Sequence, residues 1–120
     1  MNIETLREYC LQKKEVTEDF PFDENVLAFR VAKKIFALTD INSKPLEVNL
    51  KCNPEKAIEL REEFSSITPG FHMNKKMWNT VICDGSLSDK LIFELVNHSY
   101  DEVIKGLPKK EQKRFLIHGS

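Results

Sequence analysis

The sequence predicts an α+β fold: an antiparallel sheet with one wet face, packed by helices. Three observations predict it. Leu46-Glu47-Val48-Asn49-Leu50-Lys51-Cys52 alternates apolar and polar residues with period two, the pattern of a strand buried on one side. Asn53-Pro54 follows at once and reads as a helix start, with Asn as N-cap and Pro at the first helical position. Leu91, Ile92, Leu95, Val96, Ser99 and Val103 then fall on one side of a long helix. Hairpin-linked strands with flanking helices form a layered α+β sandwich. The 120 residues suit one domain with one core, spanning 1–120.

Taken in order, Ile3, Leu6 and Cys10 recur at helical spacing and predict a first helix over about Ile3 to Gln12. Lys13-Lys14 falls near its C-terminal end, where cations are favoured. Glu15 to Glu24 reads as an acidic loop, because Pro21 forbids a continuous helix. Phe20 and Phe22 flank that proline and are expected to plug the loop onto the core. Val26–Val31 and Lys34–Thr39 read as two strands joined by Ala32-Lys33, a hairpin without the usual Asn-Gly. Leu27, Phe29 and Val31 share its inner face and Arg30 takes the other. Asn42 to Pro45 is a turn. The helix opened by Asn53-Pro54 buries Ala57, Leu60 and Phe64, and Ser65 to Gly70 ends it. Phe71 to Met73 is expected to form a short strand and Met77 to Cys83 a longer one. Asp84-Gly85 is a turn, Ser86 or Ser88 caps the long helix, and Gly106 stops it near Lys105. Lys109 to Phe115 predicts a short basic helix, with Gly119-Ser120 an unstructured end.

Composition narrows the class. Hydrophobic residues make up 41% and charged residues 31%, as in a soluble globular protein. No apolar run is long enough to span a bilayer, and Met1-Asn2-Ile3-Glu4 lacks the regions of a signal peptide. The expectation is therefore a cytoplasmic monomer with no membrane partner. Cys10, Cys52 and Cys83 are odd in number and lack metal-ligand spacing, so free buried thiols are expected, without disulfide or structural zinc. The formal net charge of -1 argues against strong nonspecific binding of nucleic acid but leaves a local basic face open.

The stretch Pro69 to Val81 concentrates the chemistry. It holds the one Trp, an adjacent Lys pair and no acidic residue. Lys75 and Lys76 suit phosphate contacts, with Asn74 and Asn79 adding neutral hydrogen bonds. Against this, Asn and Lys are ordinary in a solvated turn. Trp78 could stack on a base or fill a partner's pocket, although a core Trp is as good a reading. By parity it shares a face with Thr80 and Ile82. His72 could be an acid–base group or ligand, but a lone His is more often structural. Arg30, Lys33 and Lys34 form a second basic cluster, and hairpin tips are also charged simply to protect strand edges. Lys51, on the wet face, would extend it. Cys52 precedes a helix N-terminus, a setting that can activate a thiol, but its parity points to the apolar face. There is no phosphate-binding glycine loop, nucleophile elbow or metal-ligand register, so neither an enzyme nor a cofactor is expected.

Phe20-Pro21-Phe22, Lys51-Cys52-Asn53-Pro54, the run Pro69 to Asn79, and the ending from Asp101 to Leu107-Pro108 resemble the MmcQ/YjbR family over nearly the whole chain. The resemblance implies a CyaY-like, that is frataxin-like, α/β domain. It also implies the family's label of DNA-binding protein through a double-wing arrangement of strands. Met77 stands where such proteins often carry a second His. The leading expectation is thus a non-enzymatic module binding DNA through Arg30, Lys33, Lys34, Lys51, Asn74, Lys75, Lys76 and Asn79. These residues are expected to make one continuous positive face, with the acidic Glu15-to-Glu24 segment elsewhere. The alternative is a module for another protein or a small ligand, using a groove at His72 and Trp78. A third reading borrows iron from the frataxin-like fold and assigns it to Glu15, Glu18, Asp19, Asp23 and Glu24, which show no ligand register.

Overall fold

Six strands form one antiparallel sheet in the order β1-β2-β3-β4-β6-β5. The computed structural model describes residues 1–70 and 73–119. Within them the elements run α1 (Ile3–Leu11), β1 (Val16–Asp19), β2 (Val26–Val31), β3 (Lys34–Asp40), β4 (Leu46–Lys51), α2 (Pro54–Glu63), β5 (Ile67–Pro69), β6 (Trp78–Cys83), α3 (Asp89–Lys105) and α4 (Lys109–Gly119). The expected α+β class holds, with helices packed on one face.

The caps are those the residue types favour. Asn53 Oδ1 accepts from the backbone N–H groups of Glu55 and Lys56 at 3.0 and 3.3 Å, and Ser88 Oγ accepts from Leu91 at 3.1 Å. β4 buries Leu46, Val48 and Leu50 on the helix side, as its alternation predicts. They join Phe29, Phe36, Val81, Ile92 and Val96 in one core.

The β2–β3 hairpin forms at Ala32-Lys33, where both residues take left-handed φ values of 49° and 68°. A two-residue turn of this hand matches the strand twist even without Asn-Gly. The pairing of β2 with β3 skips Phe36, between the pairs Phe29–Ala37 and Arg30–Ile35. This bulge lets Phe36 and Ala37 both reach the core. Ser99 on α3 answers it: its buried hydroxyl donates to Phe36 O at 2.5 Å and accepts from Lys51 N at 2.8 Å.

Four expectations need correction. Val16–Asp19 is a strand, not loop, because the open edge of β2 pairs with it and Arg7 and Arg30 hold its carboxylates. Ile67–Pro69 is a strand and not merely the end of a helix; β6 supplies its partner. Phe20 and Phe22 do not plug the loop onto the core, being 50% and 71% exposed. The outer face is not wet throughout, since Ala28, Leu38 and Thr80 lie on it by register yet are buried. Phe71, within the other expected short strand, lies outside the described residues.

Replacing Ser99 with Ala should leave both the Lys51 N–H and the Phe36 carbonyl without this partner. Unfolding in urea should show a loss of about 2 kcal/mol. A loss near zero would mean that the strands hold their register without the bridge.

Candidate anion-binding end of the sheet

The register gathers residues that are far apart in sequence. Val31 pairs with Lys34, Leu50 with Ala37, and Lys51 with Trp78. The β2–β3 tip, the end of β4 and the start of β6 therefore share one end of the sheet. The turn before β6 lies there too: Met77 N donates to Asn74 O at 3.1 Å, and Cys52 N donates to Met77 O at 2.8 Å. Lys33, Lys34, Lys75 and Lys76 are exposed at this end, and Lys51 is half-buried beside Trp78. Adjacent strands stand about 4.8 Å apart, so the two lysine pairs lie roughly 12 Å from one another across the sheet. The opposite end carries acids alongside exposed Lys44 in the β3–β4 turn. Asp40 pairs with Val26, Glu47 with Ile82, and the Asp23-Glu24 and Asp84 turns flank them.

Three of the expected contact residues have other duties. Arg30 lies outward, but its Nε donates to Asp19 Oδ1 at 2.7 Å and its Nη1 to Lys33 O at 3.0 Å. It braces the hairpin, and its charge is answered by the acidic segment expected elsewhere. The positive face is interrupted on this side by Asp19, which β1 pairing brings against β2. Asn79 is buried, because its strand turns that side chain inward under α2. Asn74 spends its Oδ1 on Lys76 N at 2.9 Å, a side-chain turn that shapes the loop. Trp78 lies on the outer face with Thr80 and Ile82, as parity predicts, and is half-buried. His72 lies outside the described residues, so its place in a groove with Trp78 is not described.

Arg61 is the residue the sequence reading missed. From α2, its Nε donates to Asn79 Oδ1 at 2.6 Å, and its Nη2 donates to the carbonyls of Lys75 and, at 3.3 Å, Trp78. One guanidinium thus fixes the lysine turn to the helix. A signal was present: Arg61 follows buried Ala57 by four residues, so it shares that helix face. The helix layer also adds cations at the same end. Lys14 Nζ donates to Arg114 O, Tyr100 Oη donates to Lys14 O at 2.7 Å, and Arg114 pairs with Glu15 at 3.4 Å. These contacts bring α4, with exposed Lys109, Lys110 and Lys113, alongside the start of β1.

Comparison with known proteins fits this frame. A YjbR family model matches residues 11–102. The chain belongs to the YjbR family. It is 35% identical to Escherichia coli K12 YjbR over 114 residues, covering 94% of this chain and 96% of that one. It is 36% identical to YbdF of Escherichia coli O157:H7 over 112 residues, covering 92% and 91%. The crystal structure of Deinococcus radiodurans protein DR2400, with the domain DUF419, superposes with a TM-score of 0.89 at 41% identity, covering 94% of this chain and 86% of that one. A Pseudomonas syringae crystal structure gives a TM-score of 0.71 at 30% identity, covering 82% and 96%. None of these names carries an activity, so the site must be read from its own residues.

In this YjbR-family chain the thiols are positioned as packing groups. Burial pushes Cys10 up to about 12 and both Cys52 and Cys83 up to about 11, which suppresses the nucleophilic thiolate. Among the described residues no three His, Cys, Asp or Glu side chains are grouped to hold a metal ion. Of the acids assigned to iron, Glu15, Glu18 and Asp19 are paired with Arg114, Arg7 and Arg30. Among the described residues no helix is long and apolar enough to cross a membrane. His98 has a structural task, its Nε2 accepting from Asn53 N at 3.1 Å where α2 begins. Burial, then Lys56, hold its pKa below the ordinary imidazole value; Lys105 acts in the same sense, while Glu102 and Asp101 oppose.

Two outcomes follow for this YjbR-family fold. Arg61→Ala should cost about 2 kcal/mol, because the Asn79 side-chain oxygen and the Lys75 carbonyl lose this partner. It should also shift the emission of Trp78, the one Trp, to the red as the turn loosens; unchanged emission would show that other contacts hold the turn. Folding holds the His98 pKa down, so its contribution is full above the unfolded value of about 6.5 and is lost as pH falls through and below it. Urea midpoints measured across that range should fall on acidification, and His98→Gln should flatten that part of the profile.

Proposed function

We propose that the protein is a non-enzymatic module that binds nucleic acid at the lysine end of its sheet. The observation that carries this reading is the convergence of Lys33, Lys34, Lys51, Lys75 and Lys76 from three separate segments onto one end. Lysines on a rigid sheet end can track a phosphate backbone, and each neutralised phosphate releases counterions. Trp78, directly across from Lys51, supplies an aromatic face beside the charges. The formal net charge of -1 leaves a local basic end possible, since Asp40 and Glu47 stand at the opposite end of their strands. The double-wing label implied by the family resemblance agrees with two lysine-bearing turns, the β2–β3 tip and the turn before β6. The second reading, a groove for a protein or small ligand at Trp78 and His72, rests on Trp78 alone among the described residues.

Fluorescence anisotropy of labelled DNA at increasing salt tests the proposal. Affinity should fall steeply as salt rises from about 50 to 200 mM. Lys34→Glu with Lys76→Glu, one change in each cluster, should lower the salt slope by about 2 if each lysine meets one phosphate. Folding should be little affected, as both side chains are exposed. No binding at low salt, or an unaltered slope in the double variant, would refute the reading.

A further inference from the structure

The exposed Phe22 is unexplained by the lysine end, since it lies at the other end of the sheet. It walls a cavity of about 310 Å³ on the outer face, lined by Phe22, Val26, Leu38, Asp40, Asn49 and Met73, with Thr39. That volume is at the small end of the range for ligand pockets. Two of the walls, Phe22 and Met73, come from loops. Asp23 Oδ1 accepts from Asn25 N and Val26 N at 2.8 and 3.1 Å, closing the turn behind Phe22. Asn42 Nδ2 donates to Asn25 Oδ1 at 2.7 Å and Ile41 N to Asn25 O at 2.9 Å, which ties that turn to the β3–β4 turn. On the far side Met73 N donates to Gly70 O at 3.0 Å, and Gly70 N to Trp78 O at 2.9 Å. A side chain at Gly70 would meet Trp78 Cβ at 3.0 Å, so glycine permits this close crossing.

The lining has a definite polarity. Among the described lining residues, Phe22, Val26, Leu38 and Met73 are apolar and none is cationic. Asp40 is the one carboxylate among the described lining residues, and Asp23, Glu24 and Glu47 stand at the same end of the sheet, with Lys44 in the β3–β4 turn. Asp40 Oδ1 accepts from Asn42 N at 2.8 Å, which holds the carboxylate in place. On the floor, Asn49 Oδ1 accepts from Thr80 Oγ1 at 2.6 Å and its Nδ2 reaches Leu38 O at 3.4 Å, so the amide orientation is set. A preset apolar cup with one fixed anion at its rim is complementary to a ligand with an apolar body and a cationic head. A ring against Phe22 and Met73 gains aromatic and sulfur contacts, and an ammonium is drawn to the Asp40 carboxylate.

We propose that this cavity binds a small aromatic amine, its ring between Phe22 and Met73 and its ammonium on Asp40. The cavity shares the loop before β6 with the lysine end, but its Phe22 and Asp40 stand at the other end of the sheet, so amine binding and phosphate binding are tested by different residues. The test uses three probes with the same ring and two-carbon linker: phenethylamine, 3-phenylpropionamide and 3-phenylpropionate. In a two-dimensional amide NMR titration the amine should shift Val26, Leu38, Asn49 and Met73 and bind at least tenfold more tightly than the carboxylate. Asp40→Asn keeps an oxygen for Asn42 N but removes the charge, so the amine should fall to the level of the amide probe. Phe22→Ala, at a side chain 71% exposed and so of little consequence for folding, should weaken all three. Equal binding of amine and carboxylate, shifts confined to other residues, or a preference that survives Asp40→Asn would each overturn the proposal.

Discussion

The hydroxyl of Ser99 joins the helix layer to the sheet where the ladder is irregular. At the Phe36 bulge, the β3–β4 pairing has run from Thr39–Val48 to Ala37–Leu50, and Lys51 lies just beyond it. A hydroxyl can donate and accept at once, so it closes the gap between Phe36 O and Lys51 N that an apolar side chain would leave open. Its position ties the end of β4 to α3, and Lys51 is the residue through which β4 meets Trp78 on β6. The arrangement of the lysine end therefore depends on a serine in the core. Phe36 contributes to the same joint through its ring, edge-on to Tyr100 at 5.4 Å. Tyr100 in turn holds the end of α1 by donating to Lys14 O.

Arg61 has a comparable role beside the next strand, β6. A backbone carbonyl such as that of Lys75, in a turn before a strand, has no ladder N–H to donate to it, and water is its usual partner. Here a guanidinium takes on that task, because its rigid fork can reach the carbonyls of Lys75 and Trp78 and the Asn79 amide together. Placing a cation under a lysine turn adds repulsion among like charges. The buried Asn79 oxygen and the two carbonyls offset it by giving the guanidinium three acceptors. This arrangement makes the turn a fixed feature of the surface, and a charged surface held in one conformation loses little entropy when it meets a partner.

Strong local signals made much of the fold legible. The alternation in β4, the Asn53-Pro54 cap and the α3 stripe are each decided by neighbours in sequence, and each stands as read. β1 was hidden because Glu18 and Asp19 look like solvated acids until Arg7 and Arg30, on other elements, are in place. β5 is three residues long and has no pattern of its own; β6 defines it. The site was legible in its residue types and to some extent in its geometry. Parity sets Lys51 on the outer face and Trp78 with Thr80 and Ile82, as found, and the same parity turns Asn79 to the opposite, buried side. The polar character of its amide outweighed a geometric signal that was already available. Arg61 suffered the reverse error, its charge suggesting solvent when its helical position faced the sheet.

The β2–β3 tip carries a further argument about charge. Left-handed φ costs an ordinary residue roughly 1 kcal/mol, and both Ala32 and Lys33 take it. Asn-Gly would make the same turn with less strain. Lys33 instead puts a cation at the outermost point of the sheet end, and its carbonyl accepts from Arg30. Neither Gly nor Asn could carry that charge. Conformational ease and charge therefore compete at this one position, and the sequence has settled on charge. Along β3, Lys34 and Asp40 stand at opposite ends of the strand. Charges grouped on one end of a sheet act together on an approaching ion more strongly than the same charges scattered over the surface.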